Sequence, residues 1–388
     1  MPHYIKMGRI PQKRHTQFRK DDGELFAEQL FSTEGFSSNF SLLYHHNLPT
    51  VIIKTEEPYD VAPKAATGNL LKPRSFEGFN IKPEEDFMAS RKVVMFNNDV
   101  HMALAAPKNG LTGNTFFKNA DADEVIFVHV GEGVLKTMYG NIPFGYGDYL
   151  VIPRGCIYQI EFKTEENRLL IIDSFSPINF PKRYMSRYGQ LLEHAPFSER
   201  DIRVPEFVEP IVEKGEFLIN TKKKGMMYPI WYGYHPFDVE GWDGCEYPYA
   251  MSVHDFEPIT GRVHLPPPTH QHFEGHNFVI CSFCPRLYDY HPLAIPAPYH
   301  HSNIDSDELL YYVDGQFMSR KNVTKGMITL HPAGIVHGPQ PGMTEKSVGE
   351  KETAELAVML DTFQPLQLTQ EALGIENEGY ALSWSENS

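Results

Sequence analysis

The sequence predicts an all-β chain organised around two copies of one small-barrel motif, and three observations carry that expectation. The run Glu308-LLYYVD-Gly315 has an earlier counterpart in Glu124-VIFVHV-Gly131, a carboxylate leading through a strand into a glycine turn. The run GMITLHPAGIVH, from Gly326 to His337, has a counterpart in GDYLVIPRGCIY, from Gly147 to Tyr158. The two copies lie about 180 positions apart, and repetition of a glycine-strand-Pro/Gly turn-strand unit fixes an architecture more firmly than either copy alone. Third, 30 prolines, 29 glycines and 13% aromatic residues suit many short strands joined by tight turns.

The second copy carries the chemistry. His301, Glu308 and His337 are spaced so that antiparallel strands of a small barrel bring their side chains to one inward face. Two imidazoles and one carboxylate leave part of a metal ion's coordination open, the donor set of non-haem Fe(II) oxygenases, with manganese or zinc as other occupants. Asn303 stands where a His-x-His pair would supply a further ligand. In the first copy Phe117 replaces His301 and Tyr158 replaces His337, so Glu124 is left alone. That half reads as a structural barrel without an ion.

At 388 residues the chain has room for two domains. The expected division is an N-terminal β domain over 1–258 with the degenerate copy, and a catalytic domain over 259–388 ending in an acidic tail. A formal charge of −15 without a long basic block argues against nucleic acid as a partner. The basic N-terminal stretch lacks the apolar core of a secretory signal, and no run is long enough to span a bilayer. Four cysteines are too sparse for a disulfide framework, which predicts a reducing, cytoplasmic setting. Cys281-Ser-Phe-Cys284 lies in an alternating apolar run and reads as buried strand rather than as a zinc or redox site.

Along the chain, SSNFSLLYHHNLPTVIIK predicts two strands around a turn, with His45 and His46 exposed beside it. Arg168–Ser174 reads as a strand, and PKRYMSRYGQLLEHAPF as holding a short helix. WYGYHPFDVEGWDGCEYPY reads as a long ordered loop in which Tyr234, His235 and Trp242 serve packing before any site. In His270-Gln-His272-Phe-Glu274-Gly-His276 an extended backbone would place the four polar side chains on one face unless Gly275 breaks it, suiting pocket histidines first, a solvated turn second and metal ligands third. LTQEALGI predicts one or two amphipathic turns, and ALSWSENS a loosely held end.

Taken with the double motif and the triad, the phrases LFAEQL, VEGWDGCEYPY, PYHHSN and HPAGIVHG make the chain similar to the homogentisate 1,2-dioxygenase family, and they are spread over nearly its whole length. The resemblance implies a bicupin, two jelly-roll (double-stranded β-helix) barrels, the first metal-free and the second holding the metal. It implies a mononuclear Fe(II) enzyme that opens an aromatic ring with O2, converting homogentisate to maleylacetoacetate in tyrosine and phenylalanine breakdown. The family's iron ligands match His301, Glu308 and His337. Its acid/base histidine matches His270, with His272 as the competing placement, and its substrate-pocket residues match Tyr299 and His331. A small aromatic substrate, O2 and a homo-oligomer of trimers or hexamers are the implied partners, with no nucleic acid and no membrane. Gln316-Phe317 stands where a substrate-touching tyrosine is expected, which leaves open another hydroquinone acid such as gentisate. A non-catalytic small-molecule-binding cupin is the further alternative.

Overall fold

The computed structural model describes residues 3–67 and 71–385. Strands dominate it, in three large sheets and two small ones. One seven-stranded sheet runs Tyr249–Ser252, Asp148–Ile152, Asp123–Val130, Arg168–Ser174, Val100–Ala105, Lys92–Phe96, Gln367–Leu368. An eight-stranded sheet faces it, built on Gly133–Thr137, Ile157–Phe162, Thr115–Asn119, Lys214–Lys223 and Met226–Tyr234. A second seven-stranded sheet runs Gln271–Gly275, Phe278–Phe283, Leu356–Thr362, Asp307–Asp314, Met327–His331, Arg74–Glu77, Glu376–Asn377.

The first seven-stranded sheet is the middle layer, because strand alternation sends its two faces to different partners. Glu124 on one face meets Tyr158 of the eight-stranded sheet at 2.8 Å. Residues of the opposite face touch the C-terminal sheet: His129 Nδ1 lies 2.7 Å from Tyr311 Oη, and Tyr149 Oη lies 2.9 Å from Ser282 Oγ. One core therefore runs through all three layers, from Phe116 and Ile160 through Phe127 and Leu170 to Leu309 and Val358. The mainly β architecture matches the expectation.

The two copies are not equally built. The first forms two facing sheets. In the second, among the described residues, the face turned away from the core meets loops, a two-stranded ladder of Arg286–Leu287 with Glu352–Thr353, and a single bridge between His301 and His337. Strands also cross position 258 in both directions. Arg74–Glu77 pairs with Met327–His331, and Gln367–Leu368 pairs with Lys92–Phe96.

Several local expectations change. The 231–249 stretch, expected as one long loop, is largely strand: Met226–Tyr234 and Val239–Gly244 cover most of it and pair in different sheets. Its Trp242 is buried, and its Nε1 donates to the carbonyl of Tyr139 at 2.8 Å. Aromatic and proline content mimics a loop, but pairing and burial, near complete for Val239–Gly244, override it. The two strands near His45, Phe40–His45 and Ile52–Thr55, do not pair with each other but belong to separate sheets. His45 is buried between Asp238 and Gln29, at 2.7 and 2.8 Å, rather than exposed. The expected helix after Pro181 is a single 3-10 turn, Lys182–Tyr184. The segment expected to be loosely held is docked through Trp384, as described below, and its residues 386–388 lie outside the described residues. Cys281 and Cys284 are buried and free.

Burial gives stability a defined pH dependence. It pushes His129 down to about 4 and His272 down to about 3. Below the ordinary histidine value of about 6.5 the unfolded chain takes up protons that these folded imidazoles refuse. Their contribution is therefore whole above that pH and falls as pH drops from ~6.5 toward 4, by about 1.4 kcal/mol per pH unit each. Denaturant midpoints between pH 7 and 4.5 check this, and His272→Phe should flatten the slope.

Candidate metal centre and cavity

Glu308 is placed by alternation. On the strand Asp307–Asp314, Leu309, Tyr311 and Val313 enter the shared core, so Glu308, Leu310 and Tyr312 point to the other side. His301 and His337 come from loops, held by a two-way backbone bridge with N–H to carbonyl distances of 2.8 and 2.9 Å. His337 was expected on a strand; only this bridge fixes it. The positive φ of Gly334, +79°, lets the chain turn back sharply enough to reach His301.

The two imidazoles are held alike. His301 Nδ1 lies 3.1 Å from the carbonyl of Tyr299, and His337 Nδ1 lies 3.1 Å from the carbonyl of Ile335. Donation from Nδ1–H in each leaves Nε2 as the free lone pair. Each Nε2 lies 3.5 Å from a different oxygen of Glu308. Ligand atoms of all three residues fall within 4.8 Å of one another. His337 Nε2 is buried with no hydrogen-bond partner, the state of a donor set whose remaining partner is a cation. A 2-His-1-carboxylate metal-binding site is therefore present, and its residues fit a divalent ion of the iron, manganese or zinc kind.

Charge at the site follows from these contacts. Burial raises Glu308, but the three imidazoles that face it, His301, His331 and His337, outweigh burial and hold the carboxyl well below its ordinary range. The Glu308 carboxylate facing it raises His301. His331 stands behind the triad: it is fully buried, stacked on His337, with Nδ1 3.0 Å from Glu308 Oε1. Burial pushes it down to about 4. A neutral His331 donating from Nδ1 fixes the carboxylate, while its Nε2 faces Tyr380 Oη at 3.2 Å and Arg320 at 3.4 Å.

Beside the triad lies a cavity of about 470 Å³, within the range of small-molecule sites. Its walls include His270, Phe283, Tyr299, His301, Glu308 and Leu310. Tyr299 reaches it from an exposed position at the rim. His270 lines it with Nδ1 unpartnered, and burial, then Arg286 and His264, push it down to about 3 instead of the expected 6.5. A β-bulge between Gln271 and Phe273 parts His270 from His272. His272 consequently does not line the cavity; it is fully buried among Phe197, Phe256 and Phe273, with Nδ1 3.0 Å from Ser282 Oγ. Nor does His331 line it, being shut behind Glu308.

Asp361, Tyr380 and Trp384 are among the residues here that sequence reasoning missed. Asp361 lies opposite Glu308 across the ladder and lines the cavity, and burial together with Glu308 pushes its carboxyl up to about 8. Tyr380 and Trp384 of the C-terminal tail pack edge to face and close the back of the site against His331. Only long-range pairing brings these groups here, so no spacing signalled them.

The equivalent position of the first copy is filled differently. Glu124 is fully buried, and Arg91 Nη1 lies 2.6 Å from its Oε1. The same guanidinium lies 2.9 Å from Asp173 and packs over Phe87 and Phe117. Lys222 also pairs with Asp173.

Comparison with known proteins agrees with this geometry. The model of the homogentisate 1,2-dioxygenase N-terminal region matches residues 22–253. A Saccharolobus solfataricus protein provisionally named a dioxygenase is 39% identical over 386 residues, 99% of each chain. The homogentisate 1,2-dioxygenase of Sinorhizobium fredii is 26% identical over 293 residues, covering 70% of this chain and 62% of its own length. That of Rhodopseudomonas palustris is 24% identical, again over 62% of its length. Among solved structures, a cupin 2 conserved barrel domain protein from Leptotrichia buccalis overlaps 78% of this chain and all of its own, with 14% identity and a TM-score of 0.34; so loose an overlap carries nothing about the site. Among the described residues no helix is long and apolar enough to cross a membrane. With a family model matching well over half of its residues and a relative aligned along almost its whole length, the chain belongs to the homogentisate 1,2-dioxygenase family.

Proposed function

We propose that this protein is an Fe(II)-dependent ring-cleaving dioxygenase that converts homogentisate and O2 to maleylacetoacetate, in the breakdown of tyrosine and phenylalanine. The observation that supports this best is the facing pair of Nε2 lone pairs on His301 and His337, converging with Glu308 beside a cavity of aromatic-acid size. His301, Glu308 and His337 would hold the iron, which supplies an open coordination face for a phenolate and O2. The first copy holds no metal in this reading, because the Arg91 guanidinium already neutralises Glu124. The chain then divides by role into a structural part over 1–258 and a catalytic part over 259–388. A cytoplasmic homo-oligomer, trimer or hexamer, is the assembly that the family membership favours.

The protein's own groups divide the work as follows. His270 is the acid/base: neutral at physiological pH, with its unpartnered Nδ1 in the cavity wall, it can accept a proton from the substrate hydroxyl and return it later. Its low basicity means that it protonates only once a negatively charged substrate lies beside it. Tyr299 at the rim orients the substrate, and apolar Phe283, Leu310 and Met359 exclude water from the ring. In this reading the base is His270 rather than His272, which is buried in the core against Ser282, and His331 acts on the substrate through Glu308.

The test is anaerobic loading with Fe(II), followed by O2 uptake with homogentisate and gentisate side by side and absorbance of the ring-opened product. Uptake with homogentisate alone supports the proposal; uptake with gentisate alone keeps the chemistry and changes the substrate; uptake with neither overturns it. His270→Ala should keep its iron and lose roughly 100- to 10,000-fold in turnover. Iron content measured beside turnover separates that outcome from collapse of the site.

A further inference from the structure

The cavity beside the triad is lined by four carboxylate residues, Asp289, Glu308, Glu355 and Asp361, and by few cations. Arg286 is matched to Glu355 at 2.7 Å, and His264 lies 3.4 Å from Asp289. Arg320 is different. Its side chain is buried in the cavity wall, yet no carboxylate pairs with it among the described residues. One Nη of its guanidinium donates to the carbonyls of Ser319 and Gly338 at 3.1 and 2.7 Å, and the other faces His331 Nε2. Its Nε–H is buried with no partner at all. Glu308 acts on it only at a distance, and burying a guanidinium with no carboxylate in contact and one donor unmet is costly unless an anion completes it.

Its surroundings also constrain it. Trp384 lies under the guanidinium, 5.4 Å from its carbon to the ring centroid, and Trp384 Nε1 donates to the same Gly338 carbonyl that Arg320 uses. The tail thus fixes the orientation of the arginine rather than neutralising it. Phe317 and Met318, just before Arg320 in the chain, add apolar surface to the same wall.

We propose that Arg320, braced by the C-terminal tail, is the residue that reads the carboxylate of the substrate, so that the site selects phenols carrying an anionic side group. The assignment deepens the ring-cleavage reading and rests on it for the position of the ring hydroxyls. A carboxylate meeting Arg320 gives the guanidinium its missing counter-charge and lies within the same cavity as the triad.

The test reads binding without turnover. The Fe(II)-loaded protein is titrated anaerobically by calorimetry with homogentisate, gentisate and the methyl ester of each. Wild type should bind at least one free acid roughly 10- to 100-fold more tightly than its ester, the range for a charge-assisted bond. Arg320→Gln should bring that ratio close to one with iron content unchanged, and Arg320→Lys should recover part of it. A wild-type protein without acid preference, or one that binds none of the four, overturns the assignment, as does an Arg320→Gln protein that keeps the preference. Equal loss in the Lys and Gln variants overturns it too, because the effect would then follow packing rather than charge. Acid binding that depends on Arg320 without later O2 uptake would sink the ring-cleavage reading and leave the carboxylate assignment standing.

Discussion

His337→Ala is expected to leave a folded protein that cannot retain a divalent metal, with affinity lowered by at least ~100-fold. The side chain is buried and its Nε2 has no other partner, so nothing else in the wall can take its place. His301→Ala should act likewise, since the remaining imidazole and carboxylate cannot close the set. His331→Phe should fall between these and wild type, with affinity roughly 10- to 100-fold lower, because it removes the bond that fixes Glu308 but no ligand. Metal content after anaerobic loading and desalting, beside melting curves of the apo proteins, orders the three variants. Full metal retention in His337→Ala would remove the triad from consideration.

The second large effect lies in the other copy of the motif. Arg91→Ala should destabilise the fold by about 3–5 kcal/mol, as expected when one member of a buried ion pair is removed. The loss strands Glu124, which is fully buried, and weakens the hold on Asp173, which burial would raise but Lys222 and Arg91 bring down to about 2. Chemical denaturation at neutral pH measures it. Replacing Arg91 and Glu124 together by apolar residues of similar volume should restore most of the loss, since both charges then leave the core. Neither change should alter metal binding at His301, Glu308 and His337.

What the sequence disclosed and what it hid divide by range. The Glu308-to-Gly315 and Gly326-to-His337 phrases are local: a carboxylate, a strand and a left-handed glycine turn are written within a dozen residues, and Gly315 and Gly326 do adopt positive φ. The meeting of His301 with His337 could be read from the same phrases. Arg91 could not, because its partners Glu124 and Asp173 arrive from two other strands. Arg320, Tyr380 and Trp384 were hidden for the same reason, and a tail that composition alone marks as loose is pinned by contacts with the site. The misplacement of His272 has a smaller cause. One bulged residue reverses which way an alternating segment points, and alternation carries no sign of it.

The exchange of strands across the middle of the chain dictates when the metal centre can come into being. The strand that carries His331 has Arg74–Glu77 on one edge and Asp307–Asp314 on the other. One partner leaves the ribosome early and the other late, so the early segment must wait unpaired through most of synthesis. The segment that braces the site, Tyr380 to Trp384, is made after every metal ligand. A chain stalled before Tyr380 would contain every metal ligand yet lack the wall that holds His331 and Arg320 in place. Competence to bind metal should therefore arrive late, only after the segment through Trp384 has emerged.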